Sequence, residues 1–493
     1  MSDLLINPSN ILINLNTQTL KIIDFGIATI LEQETQTFTN PTLLEGTLAY
    51  ISPEQTGRMN RVIDYRSDFY ALGVTLYELL TGILPFDSKN ALELIHHHIA
   101  RSPLPAYLTI GDVDTTDQER QNLIIISDIL NKLLAKNAED RYQSAYGLKC
   151  DLDYCYQHLQ HQGIIPSFPL AQQDFTPNLQ ISQKLYGRSL ELQQILDAFN
   201  SISQANELHE IKQTKFVLIS GYSGMGKSAL VREIYKPVTG RQGIFISGKY
   251  DQYHHSLPYS AFNHALSELC VYLLTEPEQS LAYWRNLIQL ALEDYGQVLI
   301  DFIPKLELII GPQPAMPDLN AQELQRRFSL IFQNFMEAIC TVEHPLVIFL
   351  DDLQWADVAS LNLLQAIINN QNIKYCLIIG TYRDNEVEAT HPLSTVIKTT
   401  RENQDLLELH LDRLCCDQIT DLIADSLFLE TETCRPLAER VCLKTGGNPF
   451  FVIEYLKLLH QKELLYFDMP RSGSKPESRL DQFTDQPLNK AQW

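Results

Sequence analysis

The middle of the chain alternates short apolar runs with longer amphipathic stretches. The runs cover 215–220, 243–249, 345–351, 375–383 and 406–411. Their lengths are those of strands, and the last run alternates apolar and polar residues, which is typical of an edge strand. Between the runs, apolar residues follow the i, i+3, i+4 spacing of helices, for example from Leu324 to Ile339. Strands that alternate with helices predict a five-stranded parallel sheet with right-handed crossovers.

The flanking parts of the chain have other patterns. Residues 1–159 are mainly helical in pattern, whereas 160–185 contain three prolines and little charge, which predicts a semi-stiff linker. The alternating pattern occupies 186–414, and 415–467 are helical again. The tail 468–493 is rich in Ser, Pro, Asp and Gln, a composition typical of disorder. We therefore expect a multi-domain protein: a mainly α part, then an α/β domain with a helical annex.

A glycine-rich loop follows the first apolar run. The loop fits the pattern G-x-x-x-x-G-K-[ST] between a strand and a helix, and in that position the pattern predicts a nucleotide site. Gly221, Gly224 and Gly226 permit backbone turns that point amide groups at phosphate oxygens, and the following helix presents its positive end. We expect Lys227 to contact the β- and γ-phosphates of ATP and Ser228 to ligate Mg²⁺.

Two acids end the third apolar run. A buried central strand of this kind delivers Asp351 and Asp352 to the sheet edge where α/β proteins bind ligands. We expect Asp351 to be a partner of Mg²⁺ and Asp352 to orient the attacking water. At the end of the next run, Thr381 or Arg383 is expected to sense the γ-phosphate. The alternative is a buried strand that is capped by surface acids.

Charge and composition exclude several classes of protein. The chain has 38 Lys and Arg against 60 Asp and Glu, a net charge of −22, which repels nucleic acid and anionic membranes. Its nine cysteines include no C-x-x-C pair and are interpreted as reduced thiols, in preference to zinc ligands or disulfides. No apolar run approaches the roughly 18 residues of a membrane helix, and the start of the chain does not resemble a signal peptide. We therefore expect a soluble cytoplasmic protein.

A series of short motifs lies in the first third of the chain. It comprises Asn7 to Asn14, Leu20 to Gly26, Gly46 to Glu54, Asp68 to Gly73, Leu84 to Phe86, and Asp140-Arg141. The first two motifs are interpreted as a tight loop and a short hairpin with Asp24 at its tip. In this order and spacing, the series resembles the C-terminal lobe of a Ser/Thr protein kinase from residue 5 to about residue 155.

The resemblance to kinases implies roles for several positions. Asn10 would hold one Mg²⁺, and Asp24 would be the metal-binding acid. Glu54 and Arg141 would form the buried ion pair that pins the activation segment to the lobe. Four threonines before Gly46 are candidate phosphorylation sites, with a solvated polar loop as the equal alternative. They are Thr35, Thr37, Thr39 and Thr42.

The sequence departs from the kinase pattern at the catalytic base. The family has an Asp five residues before the Asn, where this chain has Leu5, and Asn7 replaces the usual Lys. The motifs of the small lobe are missing from the sequence. We therefore expect a truncated kinase, either from a misassigned start of a longer protein or with another chain supplying the lobe. We also expect no protein phosphorylation by this chain alone.

The later part of the chain resembles a second family. Tyr186-Gly-Arg188 is similar to the adenine-side entrance of AAA-like ATPases. Motifs at 350–357, 380–385 and 446–449 resemble the signal-transduction ATPases with numerous domains. The first resemblance implies that Arg188 lies on the adenine side, and the second implies that Pro449 packs near adenine and that Arg383 is the phosphate sensor. Together they imply ATP and Mg²⁺ as cofactors. A kinase lobe followed by this ATPase resembles the amino-terminal half of bacterial, often cyanobacterial, multi-sensor hybrid kinases.

Two functions remain in contention. The first is an ATP-binding signalling switch with slow ATPase activity, attached to a Ser/Thr kinase fragment; Asp352, where Glu is more usual, favours slow turnover. The second is a non-catalytic scaffold, gated by nucleotide, whose kinase lobe is a docking surface. A transcription regulator is disfavoured because no helix-turn-helix or basic patch is found. Expected partners are signalling proteins, with nucleotide-dependent self-association. No arginine finger is identified, since Arg326 and Arg327 are better interpreted as solvated surface.

Overall fold

A computed structural model gives the architecture of the chain. It describes residues 6–17, 19–23, 48–56, 63–88, 91–110, 116–174, 179, 181–203, 214–252, 258–314, 321–403, 406–427, 429–462 and 464–465. Asp24, the threonines at 35–42 and the tail 468–493 lie outside the described residues.

The N-terminal part contains a hairpin followed by helices. Strands β1 (Ile11–Asn14) and β2 (Thr19–Ile22) pair antiparallel. Asn14 pairs with Thr19, so the turn lies between these two residues, and the expectation that Asp24 forms the hairpin tip is wrong. The described helices of this part are α1 (Arg66–Thr81), α2 (Ala91–Ala100), α3 (Ala106–Thr109), α4 (Asp117–Leu133) and α5 (Ala145–Gln162).

Helices α1 and α4 form the centre of this lobe. Tyr70 and Val74 of α1 pack in one apolar core with Ile129 and Leu133 of α4, and all four are buried. Gly73 lets the helices approach closely, because a Cβ at this position would lie 2.8 Å from the Cβ of Leu133. The lobe is therefore a helical layer with its own core.

The segment predicted to be a linker packs against its neighbours. The Ile165 N–H donates to Asn122 Oδ1 of α4 at 2.7 Å, and Asp174 accepts from the Gln143 N–H at 2.6 Å. Further along, the Ser182 N–H donates to Ser426 Oγ at 3.0 Å. The described parts of this segment are thus bonded to the lobe at one end and to the C-terminal helices at the other.

The central part is an α/β domain with one parallel sheet. Its strands are β3 (Lys215–Ser220), β4 (Ile244–Lys249), β5 (Leu346–Asp351), β6 (Cys376–Tyr382) and β7 (Leu406–His410). The described helices are α6 (Ser189–Ser203), α7 (Lys227–Arg232), α8 (Tyr235–Thr239), α9 (Ser260–Leu274), α10 (Glu278–Leu292), α11 (Gly296–Phe302), α12 (Glu307–Ile310), α13 (Ala321–Ile339), α14 (Val358–Asn369) and α15 (Pro392–Asn403). The strand order is β4-β5-β6-β3-β7, with all neighbours parallel, which confirms the predicted sheet and its edge strand.

Both faces of the sheet are covered. In β3, Phe216 and Leu218 face a core that includes α9 and α13, whereas Val217 and Ile219 face a core with α6 and α7. Every residue of β5 is buried. This two-sided burial explains why the strands are continuous apolar runs.

Three helices form the C-terminal annex. They are α16 (Cys416–Leu427), α17 (Thr431–Thr445) and α18 (Pro449–Gln461), and they share a separate apolar core. Helix α17 ends at Thr445, and Gly446 caps it with a φ of 61°, the left-handed conformation common after a helix. None of the helices within the described ranges is long and apolar enough to cross a membrane.

Candidate nucleotide site

The glycine-rich loop lies at the carboxyl end of β3, between β6 and β7. Gly226 has a φ of 85° and is the N-cap of α7, which begins at Lys227. The Lys227 Nζ donates to the carbonyl oxygens of Gly221 at 2.6 Å and Tyr222 at 2.9 Å, so the ammonium lies across the loop. Burial lowers the pKa of Lys227, and the charge of Asp352 opposes that shift. The structure therefore brings the predicted lysine and the glycines together.

The end of β5 lies beside this loop. Ser228 Oγ donates to Asp351 Oδ2 at 2.9 Å, so the predicted Mg²⁺ ligand and the predicted acid are in direct contact. Thr381 of β6 is fully buried; its hydroxyl donates to Asp351 Oδ1 and accepts from the Asp352 N–H at 3.2 Å. These bonds commit Thr381 to the two acids and leave Arg383, the residue that follows β6, as the candidate phosphate sensor.

Asp352 has a left-handed backbone, with φ 58° and ψ 49°. This conformation costs a non-glycine residue about 1–3 kcal/mol of folding free energy, and such residues cluster at functional sites. Its carboxylate lies between two cations: Lys249 Nζ is 3.2 Å from Oδ2, and Arg383 Nε is 3.6 Å from Oδ1. The side chain is 92% buried, yet Lys249, at the end of β4, is 65% exposed. The acid therefore lies at the boundary between the core and the sheet edge.

A short 3-10 turn follows Asp352, and Gln354 in this turn contacts the carboxylate. Gln354 Nε2 donates to Asp352 Oδ1 at 2.9 Å, and Gln354 Oε1 accepts from the Arg383 N–H at 3.1 Å. The Arg383 guanidinium pairs with Glu386 at 2.8 Å and lies 4.7 Å from the centre of the Trp355 ring. Arg383 is thus held next to Asp352 through both its side chain and its backbone.

The annex contacts the glycine-rich loop directly. Asn448, the N-cap of α18, donates from Nδ2 to the Ser223 carbonyl at 2.9 Å, and the Phe450 N–H donates to the Gly224 carbonyl at 3.2 Å. Gly224 has a φ of 80°, and a Cβ there would lie 2.7 Å from Asn448 Oδ1. Pro449 is the first residue of α18, next to this contact. The loop and the annex helix are therefore closely fitted.

Arg188 is held at the end of the sheet's edge strand. Its guanidinium is buried, donates to the Asp412 carbonyl after β7, and lies 3.6 Å from Glu191. Burial lowers the pKa of Arg188, and the charges of Glu191 and Asp412 oppose that shift. Arg188 thus fixes the turn that precedes α6, and its role beside adenine stays a prediction.

Sequence reasoning missed three residues of this site: Lys249, Gln354 and Asn448. Lys249 ends a strand adjacent to β5, so the rule that parallel strands end at one edge also applies to it. Asn448 precedes Pro449, a pairing typical of a helix start. Gln354 carries no signal beyond its closeness to the two acids.

In the kinase-like lobe, the predicted ion pair is confirmed. Arg141 donates to Glu54 through two parallel bonds of 2.6 and 2.7 Å, and both residues are buried. Burial alone would raise the pKa of Glu54, but the charge and hydrogen bonds of Arg141, with a bond from Ser67, lower it. Asn10 ends a 3-10 turn, and its N–H donates to Asn7 Oδ1 at 3.1 Å. Its predicted partner Asp24 lies outside the described residues.

Two known protein families match this chain, one in the N-terminal lobe and one in the α/β domain. Residues 5–158 match the protein kinase domain family, and residues 184–379 match the AAA ATPase domain family. The chain therefore carries a protein kinase domain followed by an AAA ATPase domain of the P-loop type. Together these domains indicate an ATP-binding signalling protein.

Its relatives include hybrid kinases and Ser/Thr kinases. Hybrid signal transduction histidine kinase G of Dictyostelium discoideum is 31% identical over 505 residues, which cover 85% of this chain and 14% of that protein. Histidine protein kinase 1 of Candida albicans is 26% identical over 391 residues, 71% of this chain and 15% of the relative. Probable serine/threonine-protein kinase PknB of Corynebacterium glutamicum is 34% identical over 147 residues, 30% of this chain and 22% of the relative. The chain thus spans a small part of each relative, and the cyanobacterial type stays a prediction.

Proposed function

We propose that this chain is a nucleotide-operated signalling switch that binds ATP with Mg²⁺ at the loop 221–228 and hydrolyses it slowly. The observation that carries the proposal is the convergence of one ammonium, one hydroxyl and two acids at a single sheet edge. Lys227, Ser228, Asp351 and Asp352 come from the loop and from β5, which are separated by more than 100 residues in the sequence yet meet at this edge.

The residues at this edge fit a magnesium triphosphate. Mg²⁺ prefers oxygen ligands and keeps several waters, so a hydroxyl and a nearby carboxylate form a suitable protein side of its site. Ser228 Oγ and Asp351 Oδ2 already lie 2.9 Å apart. Lys227 and the amides of the loop supply the positive charge that phosphate oxygens require. Mg²⁺ would neutralise charge on the phosphates.

We assign to Asp352 the role of orienting the attacking water. In hydrolysis, a water oxygen bonds to the γ-phosphorus, the bond from this phosphorus to the bridging oxygen breaks to release ADP, and the water proton ends on an oxygen of the released phosphate. A carboxylate that accepts a hydrogen bond from this water orients it for attack. The Asp352 carboxylate has a shorter reach than that of a glutamate, and Lys249 and Arg383 already contact it within 3.6 Å. We therefore expect slow turnover.

The helical annex is the element through which nucleotide state would reach the rest of the protein. Asn448 and the Phe450 N–H bond to the loop that would hold the phosphates, so a shift of the loop changes the position of α18. The alternative is a scaffold that binds ATP without hydrolysis and uses the kinase lobe for docking. Leu5, at the place of the kinase base, favours a docking role for that lobe.

Phosphate release separates the switch from the scaffold. The purified chain is compared with Asp352→Asn, which keeps the size of the side chain and removes its charge. We expect the variant to release phosphate about 10²-fold more slowly, while its ATP affinity stays within about threefold. Asp197→Asn, an exposed change on α6, is the matched control and should behave as the unchanged chain. Equal release from the chain and from Asp352→Asn would support the scaffold instead.

A further inference from the structure

Asp352 needs external support to keep a useful orientation. Its left-handed backbone is an unfavourable conformation for a side-chain-bearing residue. The Asp352 N–H is held by Thr381, but this bond does not fix the rotation of the carboxylate. Of its neighbours, Lys249 is mostly exposed and flexible. The contact that is both short and buried is the bond from Gln354, which is 6% exposed.

The amide of Gln354 can take only one orientation here. The Arg383 N–H is a donor, so the atom that faces it must be the acceptor Oε1. Nε2 then faces Asp352 Oδ1 and donates to it at 2.9 Å. A third bond, from His391 to the Gln354 carbonyl at 3.1 Å, fixes the backbone of the same residue. The amide therefore spans the ends of two neighbouring strands.

We propose that Gln354 is a positioning residue of the ATPase site, which ties the water-orienting carboxylate of Asp352 to the backbone of the sensor Arg383. The inference rests on the proposed function and deepens it. Through this bridge, a displacement of Arg383 at the end of β6 also turns Asp352 at the end of β5. The response of Arg383 to the phosphate and the orientation of the water by Asp352 are then coupled.

Other side chains do not reproduce the bridge. Glu keeps the acceptor for the Arg383 N–H but places an oxygen against Asp352 Oδ1, where like charges repel. Met has a similar length and can make neither bond. Asn is one methylene shorter than the span between the two partners. Gln354→Glu and Gln354→Met thus remove one bond or both.

Phosphate release and hydrogen exchange test the bridge together. We expect both variants to lower kcat about tenfold or more, with KM within about threefold, since the bridge orients the water and does not hold the substrate. In an Asp352→Asn background, the same changes at 354 should have no further effect beyond about twofold. A merely structural defect would lower release equally in both backgrounds and would overturn the inference.

Hydrogen exchange gives a readout that needs no turnover. Gln354→Met should speed exchange of the Arg383 amide, whereas Gln354→Glu should leave it protected. Gln289→Met, which removes the bond from a glutamine of α10 to the Ile310 carbonyl, is the matched control and should change neither measurement. A chain that releases no phosphate would overturn the ATPase proposal, and unchanged Arg383 exchange in Gln354→Met would overturn the bridge.

Discussion

Two buried charge clusters, one in each main part of the molecule, differ in how completely the protein satisfies them. In the lobe, Arg141 makes five hydrogen bonds to protein acceptors, two of them to Glu54. A guanidinium has five N–H donors, so its capacity is used up. At the sheet edge, cations reach Asp352 over 3.2 and 3.6 Å, and one of them extends into solvent.

The difference separates a structural charge pair from a candidate site. A charge whose partners are all internal stabilises one arrangement and is expensive to disturb from one side. Charges that converge on an edge through longer contacts can exchange those contacts for ligand atoms. The first kind should respond to mutation through stability, and the second through ligand binding and turnover.

The largest effect is expected from Arg141→Ala. It leaves the carboxylate of Glu54 buried without its cation, which should destabilise the lobe by about 3–5 kcal/mol. Urea unfolding of the chain measures this loss, and ATP binding at the loop should not change. The paired replacement Glu54→Leu with Arg141→Met is the control, because it removes both charges and should cost less. If Arg141→Ala is as stable as the double variant, leaving Glu54 without its cation has no cost, and the prediction is wrong.

Lys227→Ala should weaken ATP binding and leave stability nearly unchanged, the reverse of Arg141→Ala. We expect ATP affinity to fall more than tenfold, at least about 1.4 kcal/mol, because the ammonium is the main positive charge at the loop. Unfolding should change little, since the buried ammonium is itself penalised by desolvation. Calorimetric titration measures the affinity, and Lys398→Ala, at an exposed position of α15, is the control. An unchanged affinity would refute the assignment of the loop.

Much of the α/β fold was predictable from local patterns. Strands β3, β4, β5 and β6 are short apolar runs because most of their residues are buried, whereas β7 is mostly outside the core and alternates. The hairpin tip was misplaced, although the turn does carry a local signal: the Asn14 side chain accepts from the N–H groups of Asn16 and Thr17. The contacts of the predicted linker were also missed, because single bonds such as that from Ile165 to Asn122 depend on tertiary packing.

The residues of the candidate site were predictable where they lie close together in the sequence as a motif. The glycine-rich loop and the pair of acids each lie in one short stretch, so Lys227, Ser228 and Asp351 were found together. Gln354 and Asn448 act through bonds to residues on other elements. Because such bonds depend on how strands and helices meet, residue type alone does not reveal them.

A third test uses pH to probe the lobe without mutation of its ion pair. Burial, with the nearby charge of Lys136, lowers the pKa of His98 to about 3, and its ring bonds with Tyr70 at 3.0 Å. Its pKa in the unfolded chain is about 6.5, so the unfolded state binds the proton first as pH falls. Stability is full above about pH 6.5 and should fall below it, by at most about 1.4 kcal/mol per pH unit. Urea unfolding between pH 7 and 5 measures the slope. His98→Gln should reduce it, and an equal slope in both would assign the dependence to other groups.

The smallest effect on ATP binding is expected at the contact between the annex and the loop, where capping of α18 and its bond to the loop can be separated. Asn448→Ser keeps an oxygen that caps α18 but is too short to bond the Ser223 carbonyl, and should cost about 1 kcal/mol. Asn448→Ala loses the cap as well and should cost about 1 kcal/mol more. Thermal unfolding ranks the two variants, and titration with ATP should show a loss of about threefold in both, because both release the loop from the annex. If Asn448→Ser binds ATP as the unchanged chain does, the annex does not report on the loop, and the sheet edge alone forms the nucleotide site.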